Sequence, residues 1–423
     1  MSKPLNQKDA RSVIASLRAG IPPENGVEHY AVGNEKLIRG MSEEGFFDGD
    51  GGGLIRFVSG AWGRGKTHLF RQLRGAAFAH KFLVADVCLN ANSATMNKFQ
   101  TVYAEIVRNI KCPEDTGSET PLQTVLRVAL RRLGDAGESA EITGAVFNAA
   151  NEKLMRDQSL DLDFRKMAAA YWRSFLPEFN QGAAQAEAQA EILQWFTGEG
   201  NLPNFKKNYG VSKIANKDNA RMMFTAFAGF ARLAGYGGLS VLFDEAEQSY
   251  SVIRKTALKD MQNNLLSLIN SVENTAGLLL IYATTPDFYA DPKHGIVAYG
   301  ALSGRIGQPQ NKIPTATQIV WNLDAIENTL AEYQQCARKI REIYRIAYPD
   351  GAAQLPDDQT LNNFIADMRG QHSDLASINF WRVLVKSTVA CFDAIRESEG
   401  EITAEKIDVK KHYDQIISGL QEG

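Results

Sequence analysis

At 423 residues, 44% hydrophobic and 22% charged, the chain is long enough for two or three domains built around ordinary buried cores. Its 46 Lys and Arg against 49 Asp and Glu leave a net charge of −3, which excludes a globally basic nucleic-acid or membrane-surface protein and leaves only local patches for such partners. No run approaches the roughly 18 apolar residues of a membrane span. The N-terminal MSKPLNQKDARSVIASLRAG has no long apolar core, so the reading is a soluble, cytoplasmic protein without a membrane partner. Cys88, Cys112, Cys336 and Cys391 are too widely spaced for a zinc knuckle and too few for a disulfide scaffold, and they read as buried thiols.

In chain order, the first decisive stretch is LIRFVSGAWGRGKTHLF, after a Gly-rich loop at 48–53. Leu54, Ile55, Phe57 and Val58 make the short branched run of a buried strand, and Leu69, Phe70, Leu73 and Ala77 keep helical spacing downstream. Between them Gly60-Ala61-Trp62-Gly63-Arg64-Gly65-Lys66-Thr67 satisfies G-x-x-x-x-G-K-[ST] and runs into His68. Glycines let successive N–H groups of such a loop point into one concavity at a helix N-terminus, where they bind phosphate oxygens. Gly60 to His68 are therefore the candidate nucleotide contacts, with Lys66 on the β- and γ-phosphates and Thr67 on Mg²⁺. The alternative, a glycine turn that happens to end in Lys-Thr, leaves the strand and the helix around it unexplained. Because phosphate binding uses the backbone, the side chains of Trp62 and Arg64 are expected to face outward, Trp62 packing on the loop or on a neighbouring subunit.

HKFLVADVCLNAN reads as the next strand and TMNKFQTVYAEIVRNI as the helix after it. From 113 to about 205 the chain is helical in character with polar breaks, and this segment is taken as an all-α insertion. Arg127, Arg131 and Arg132 lie either on solvated helix faces or on a contact surface. GGLSVLFDEAEQSY then supplies an apolar strand with Asp244 and Glu245 at its carboxyl end, where a parallel sheet carries its functional groups. Asp244 is the candidate for the Mg²⁺ water shell and Glu245 for polarising a lytic water. Standing alone, the pair would equally cap the next helix. No N-K-x-D follows, which favours ATP hydrolysis over GTP hydrolysis or small-molecule phosphorylation. Leu258, Met261, Leu265 and Leu268 mark one helical face before a third apolar strand, AGLLLIYATT. Thr284 or Thr285 at its end is the candidate γ-phosphate sensor; the alternative is a hydroxyl that only satisfies backbone before Pro286. Arg305 is the candidate arginine finger for a neighbour's site. ATQIVWNLDAI is a final strand, and the helical remainder from about 325 suits a lid in which Arg382 reaches the γ-phosphate.

Taken in order, the P-loop, the Asp-Glu strand, the Thr-Thr strand, an arginine and a helical lid resemble the AAA+ ATPases of the origin-recognition and loader-like branch. ARSVIASLRAGIPPENGVEHYAVGNEKLIRGM running into LIRFVSGAWGRGKTHLFRQLRGAA and FLVADVCLNAN resembles the P-loop ATP-binding proteins of BREX phage-defence systems. The likeness is strongest over residues 10–95, recurs at VLFDEAEQSY and ATTPDFY, and is weak through the helical insertion. It implies an α/β fold with an AAA+ (ASCE-type) parallel sheet, a large all-α insertion and a C-terminal helical lid. The expected divisions are 1–112, 113–205, 206–324 and 325–423. It also implies an adenine pocket at His29, Tyr30, Ala31, Val32 and Gly33, ATP and Mg²⁺ as cofactors, a homo-oligomer, and other defence proteins, including a DNA methyltransferase, as partners. The function expected is an ATPase motor or switch acting on DNA or a DNA-bound complex; the alternative is a nucleotide-gated scaffold with negligible turnover. Residues 400–423 are too short for the winged-helix domain that loader-type relatives carry, so DNA contact would fall to the insertion or to an oligomeric pore.

Overall fold

The computed structural model describes residues 4–48, 51–90, 94–115, 117–137, 140–179, 182–245, 255–372, 379–398 and 401–421. The stretch after the Asp-Glu pair, 246–254, lies outside them, as does part of the Gly-rich loop at 48–53. Five apolar runs form strands β1 (Leu54–Ser59), β2 (Phe82–Cys88), β4 (Gly238–Asp244), β5 (Leu278–Thr284) and β6 (Val320–Asn322), with a two-residue β3 (Ile110–Lys111) unmarked in the sequence. Their order is β3-β2-β4-β5-β1-β6, all neighbours parallel except β3 on β2. Every residue of β5 is buried, as a strand flanked on both sides and covered on both faces requires. The P-loop strand β1 and the Asp-Glu strand β4 are thus separated by one strand, and their carboxyl ends open onto a common crevice.

Side chains alternate across β1, so Phe57 and Val58 enter different cores. On the Val58 side lie α2 (Glu35–Glu43) and α3 (Lys66–Ala79), whose Leu69, Phe70, Leu73 and Ala77 are buried as their spacing predicts. On the Phe57 side lie α4 (Phe99–Arg108), α10 (Ala220–Leu233) and α11 (Lys255–Glu273), the last burying Leu258, Met261, Leu265 and Leu268. The insertion helices α5 (Pro121–Leu133), α6 (Gly144–Arg156), α7 (Leu162–Arg173), α8 (Ala183–Thr197) and α9 (Leu202–Tyr209) share that core rather than building their own. Phe164 on α7 contacts Trp195 and Phe196 on α8 and also Phe227 and Phe230 on α10, the helix that backs β4. Three arginines of the insertion are committed internally: Arg127 pairs with Glu119 at 2.5 Å, Arg131 donates to the Ala140 carbonyl at 3.2 Å, and Arg132 pairs with Glu114 at 2.5 Å. These arginines therefore do not form a free contact surface.

A third core belongs to the lid: α14 (Leu330–Ala347), α15 (Asp358–Gln371), α16 (Phe380–Glu397) and α17 (Val409–Gln421). The short α12 (Asp287–Ala290) and α13 (Gly300–Ile306) precede β6 on the sheet side. Thr329 and Glu332 cap α14 reciprocally, which sets where the lid begins. The N-terminal α1 (Gln7–Ala19) packs here, against α14 and α16, through Ala10, Val13, Ile14 and Leu17. The expected division at residue 112 placed this helix with the sheet. Both sheet faces are already covered, and the open apolar surface that can accept the α1 stripe is the lid. Residues 20–34 consequently run from lid to sheet as a strap across the crevice. Among the described residues no helix is long and apolar enough to cross a membrane.

Candidate nucleotide site

A cavity of about 480 Å³ lies where the strap, the P-loop and the lid meet, within the size range of small-ligand sites. Trp62 to His68 line one end of it, together with Asp244, Glu245 and Arg382. Gly63 and Gly65 hold φ of 78° and 90°, left-handed values that other residues adopt only with strain, and the helix α3 starts immediately after Gly65 with no side-chain cap. First-turn N–H groups so arranged favour an anion. Lys66 is buried and its Nζ donates to the Gly60 and Ala61 carbonyls at 2.7 and 3.3 Å. Thr67 Oγ1 donates to Asp244 Oδ2 at 2.8 Å, so the two expected metal-shell residues are brought together from 177 positions apart.

Glu245 sits beside them with φ 54°, a left-handed conformation costing a non-glycine residue roughly 1 kcal/mol or more. Its Oε2 accepts a hydrogen bond from Cys88 Sγ at 3.0 Å, and Asn90 Nδ2 donates to the same sulfur at 3.4 Å. Partial burial and the Glu245 carboxylate push the Cys88 thiol up to about 11, so at neutral pH it stays a donor. Cys88 is exposed, unlike Cys112, Cys336 and Cys391, which are buried thiols as their spacing suggests.

At the other end of the cavity the walls are Leu17, Ile21, Pro22, Ile326, Cys336 and Val385, an apolar slot fit for a flat ring. Tyr30, Ala31, Val32 and Gly33 also line the cavity, whereas His29 does not and lies 3.5 Å from Glu28. Lys339 Nζ donates to the Ala31 carbonyl at 2.7 Å and pins the strap to α14. The Tyr30 hydroxyl lies 3.4 Å from His68 Nδ1, and Gln72 lies 3.3 Å from His68 Nε2. Burial pushes His68 down to about 4, so the imidazole is neutral at pH 7. The Gln72 orientation that satisfies its otherwise unpartnered Oε1 turns that oxygen toward an Nε2–H, leaving Nδ1 to accept from Tyr30.

The family model of the BREX system ATP-binding protein BrxC/D matches residues 5–414. The chain belongs to this family. No curated protein and no solved structure matches the chain. The family is one of ATP-binding proteins, and the cavity offers groups of the matching chemistry: uncapped helix N–H groups and Lys66 at one end, an apolar slot at the other.

The remaining expected residues are placed differently. Thr284 is fully buried, donates to the Val58 carbonyl at 3.0 Å and lies 2.9 Å from the Tyr289 hydroxyl; neither it nor the buried Thr285 lines the cavity. Arg305 makes two 3.1 Å contacts to Glu273 and one of 2.8 Å to Asn270 at the end of α11 that leads into β5, the far end of the sheet from its own P-loop. Arg382 does line the cavity, next to Asn379, the N-cap of α16, and Trp381. Gly20, left-handed at φ 75°, passes so close beneath that a Cβ there would meet the Lys386 chain at 2.9 Å and Arg382 Nε at 3.5 Å. Trp62 is 63% exposed and faces outward, its ring 5.6 Å from Lys66 Nζ. Arg64 turns away to Asp324, a residue that sequence reasoning passed over. No local pattern marks it, because the pairing of its strand with the P-loop strand is a tertiary fact.

The strap is anchored by Glu24, whose carboxylate meets Arg71 at 2.5 Å, Arg74 at 2.8 Å and Lys111 at 2.5 Å, while Asp86 bridges the same three cations. Burial alone would raise the Glu24 carboxyl, but the Lys111 hydrogen bond and the Arg74 and Arg71 charges outweigh it and hold it at about 2 against an ordinary 4.5. A carboxyl depressed on folding adds stability above its ordinary value and loses it as pH falls from 4.5 toward 2. With the side chain half exposed, solvent screening reduces the contribution to about 1 kcal/mol. Glu24→Gln should therefore lower the melting temperature at pH 7 and differ progressively less from the parent as pH approaches 2. A pH-independent difference in the melting curves would remove the charge from the explanation.

Proposed function

We propose that the chain is an ATP-hydrolysing protein of the AAA+ type, working as a motor or switch on DNA or a DNA-bound complex in antiphage defence. The observation that carries this reading is the Thr67–Asp244 hydrogen bond with Glu245 beside it, on strands separated by one strand. Family membership supports ATP binding within the BREX system; the strand order β2-β4-β5-β1-β6 and the lid support the AAA+ assignment.

Lys66 leaves its loop carbonyls to meet the β- and γ-phosphates, and the N–H groups of 63–67 cradle the rest. Thr67 and Asp244 offer the hard oxygen donors that Mg²⁺ takes together with phosphates; when bound, the ion neutralises charge on the triphosphate. Glu245 orients and polarises the attacking water. Arg382 reaches the phosphates from the lid, and Thr284 and Thr285, which do not line the cavity, are given no direct contact with them. Arg305, remote from its own P-loop, would act on a neighbouring subunit's site, and its release from Glu273 is a small cost because exposed pairs are worth about 0–1 kcal/mol. This makes a homo-oligomer, with other defence proteins as partners, part of the proposal.

One observation favours the scaffold alternative: Arg127, Arg131 and Arg132 of the insertion, the candidates for a contact surface, are engaged by neighbouring groups. Steady-state turnover with and without duplex DNA separates the two. DNA-stimulated hydrolysis is expected and excludes the scaffold; ATP binding with negligible turnover in both conditions excludes the motor.

A further inference from the structure

Asp324 occupies the short turn Leu323–Ala325 that follows β6 and precedes the lid helix α14. Both its carboxylate oxygens approach the Ala61 N–H, at 3.1 and 3.3 Å, and Oδ1 also accepts from Arg64 Nε at 2.8 Å. Arg64 Nη2 donates to the Asp324 backbone carbonyl at 2.9 Å, and the Asp324 N–H is held by Asn322 Oδ1 at 3.1 Å. Side chain and main chain of one residue thus grip the P-loop at two points. Both partners are about two-thirds buried, with 30% and 32% of their side chains exposed, a setting in which charge-assisted hydrogen bonds are stronger than in open water.

A carboxylate at the rim of a phosphate site is unfavourable for a polyanion, so its effect has to lie in the geometry it imposes. It turns the Ala61 N–H and the Arg64 guanidinium outward and leaves the inner concavity to the N–H groups from Gly63 onward. The same turn is the root of the lid: Leu323, Ile326 and Asn328, on either side of Asp324 along the chain, line the cavity. A shift of the lid root therefore moves the carboxylate that holds the loop's curvature.

We infer that Asp324, through Arg64 and the Ala61 N–H, is a positioning residue for ATP that locks the P-loop and couples it to the lid. The inference rests on ATP binding at this site and not on hydrolysis. Its test is equilibrium binding of Mg·ATP to the full chain carrying Asp324→Ala, Asp324→Asn, Arg64→Ala and the double change Asp324→Ala with Arg64→Ala. Loss of a charge-assisted hydrogen bond predicts about tenfold weaker binding for Asp324→Ala. The double variant is expected to bind no more weakly than Asp324→Ala alone, because the arginine acts through the aspartate. Asp324→Asn, which still offers Ala61 an acceptor, is expected to match Arg64→Ala and to bind more tightly than Asp324→Ala. Unchanged affinity in the single variants, or additive losses in the double, overturns the proposal. Should Asp324→Ala not fold, the agreement or disagreement of Asp324→Asn with Arg64→Ala decides. Binding with these couplings but without turnover would defeat the ATPase reading and leave this one standing.

Discussion

Glu245→Gln is expected to keep ATP binding intact and to slow hydrolysis by about 10²–10⁴-fold, the usual contribution of a positioned general base. The amide preserves size and can accept from Cys88 Sγ as the carboxylate does at 3.0 Å, so the neighbourhood should survive the change. The Thr67–Asp244 bond and the loop itself are untouched. What is removed is a basic oxygen held in a strained backbone conformation at the end of β4. Affinity should hold or improve, because one negative charge leaves the vicinity of the triphosphate. Measuring Kd and kcat on the same preparation checks both halves. A variant that turns over at the parent rate would take Glu245 out of the chemistry, and one that no longer binds ATP would show that its role is structural.

The second large effect is one of stability. Phe164→Ala should destabilise the whole nucleotide-binding unit by about 3–5 kcal/mol, the range for deleting a fully buried aromatic. Phe164 has no exposed surface and touches rings on α8 and α10 at centroid separations of 5.1–6.5 Å. Because α10 also backs β4, the cavity left behind weakens sheet and insertion together. The expected calorimetric trace shows the transition shifted down as one, with ATP protection shifting alongside it. A separate low-temperature transition with the ATP-stabilised transition unmoved would make the insertion an independent unit.

The parts of the site legible in the sequence are those whose chemistry is local. Gly63, Gly65, Lys66 and Thr67 lie within one turn of chain, and the period of β1 and α3 on either side declares the strand-loop-helix context. Asp244 and Glu245 were legible because an apolar run ending in acids has few other uses in a parallel sheet. Thr284 and Thr285 looked equivalent to the P-loop residues by the same logic. Only packing reveals that the Thr284 hydroxyl is engaged by the Val58 carbonyl and that neither side chain reaches the cavity. Arg127, Arg131 and Arg132 looked like a face, but their partners Glu114, Glu119 and the Ala140 carbonyl come from loops whose return path no periodicity encodes.

By itself the sequence determined that this is a P-loop α/β protein with a helical insertion and a helical lid, and which residues are the candidates to meet phosphate. Those properties follow from short-range periodicity and from motif chemistry that the backbone executes within a few residues. Tertiary structure alone decided that α1 belongs to the lid, that residues 20–34 cross the crevice as a strap, that the insertion shares the sheet's core, and that Asp324 grips the P-loop. Each depends on which apolar surface remains uncovered after the others have packed, or on two groups brought together from more than 200 residues apart, and pairwise placement of that kind leaves no trace in local pattern.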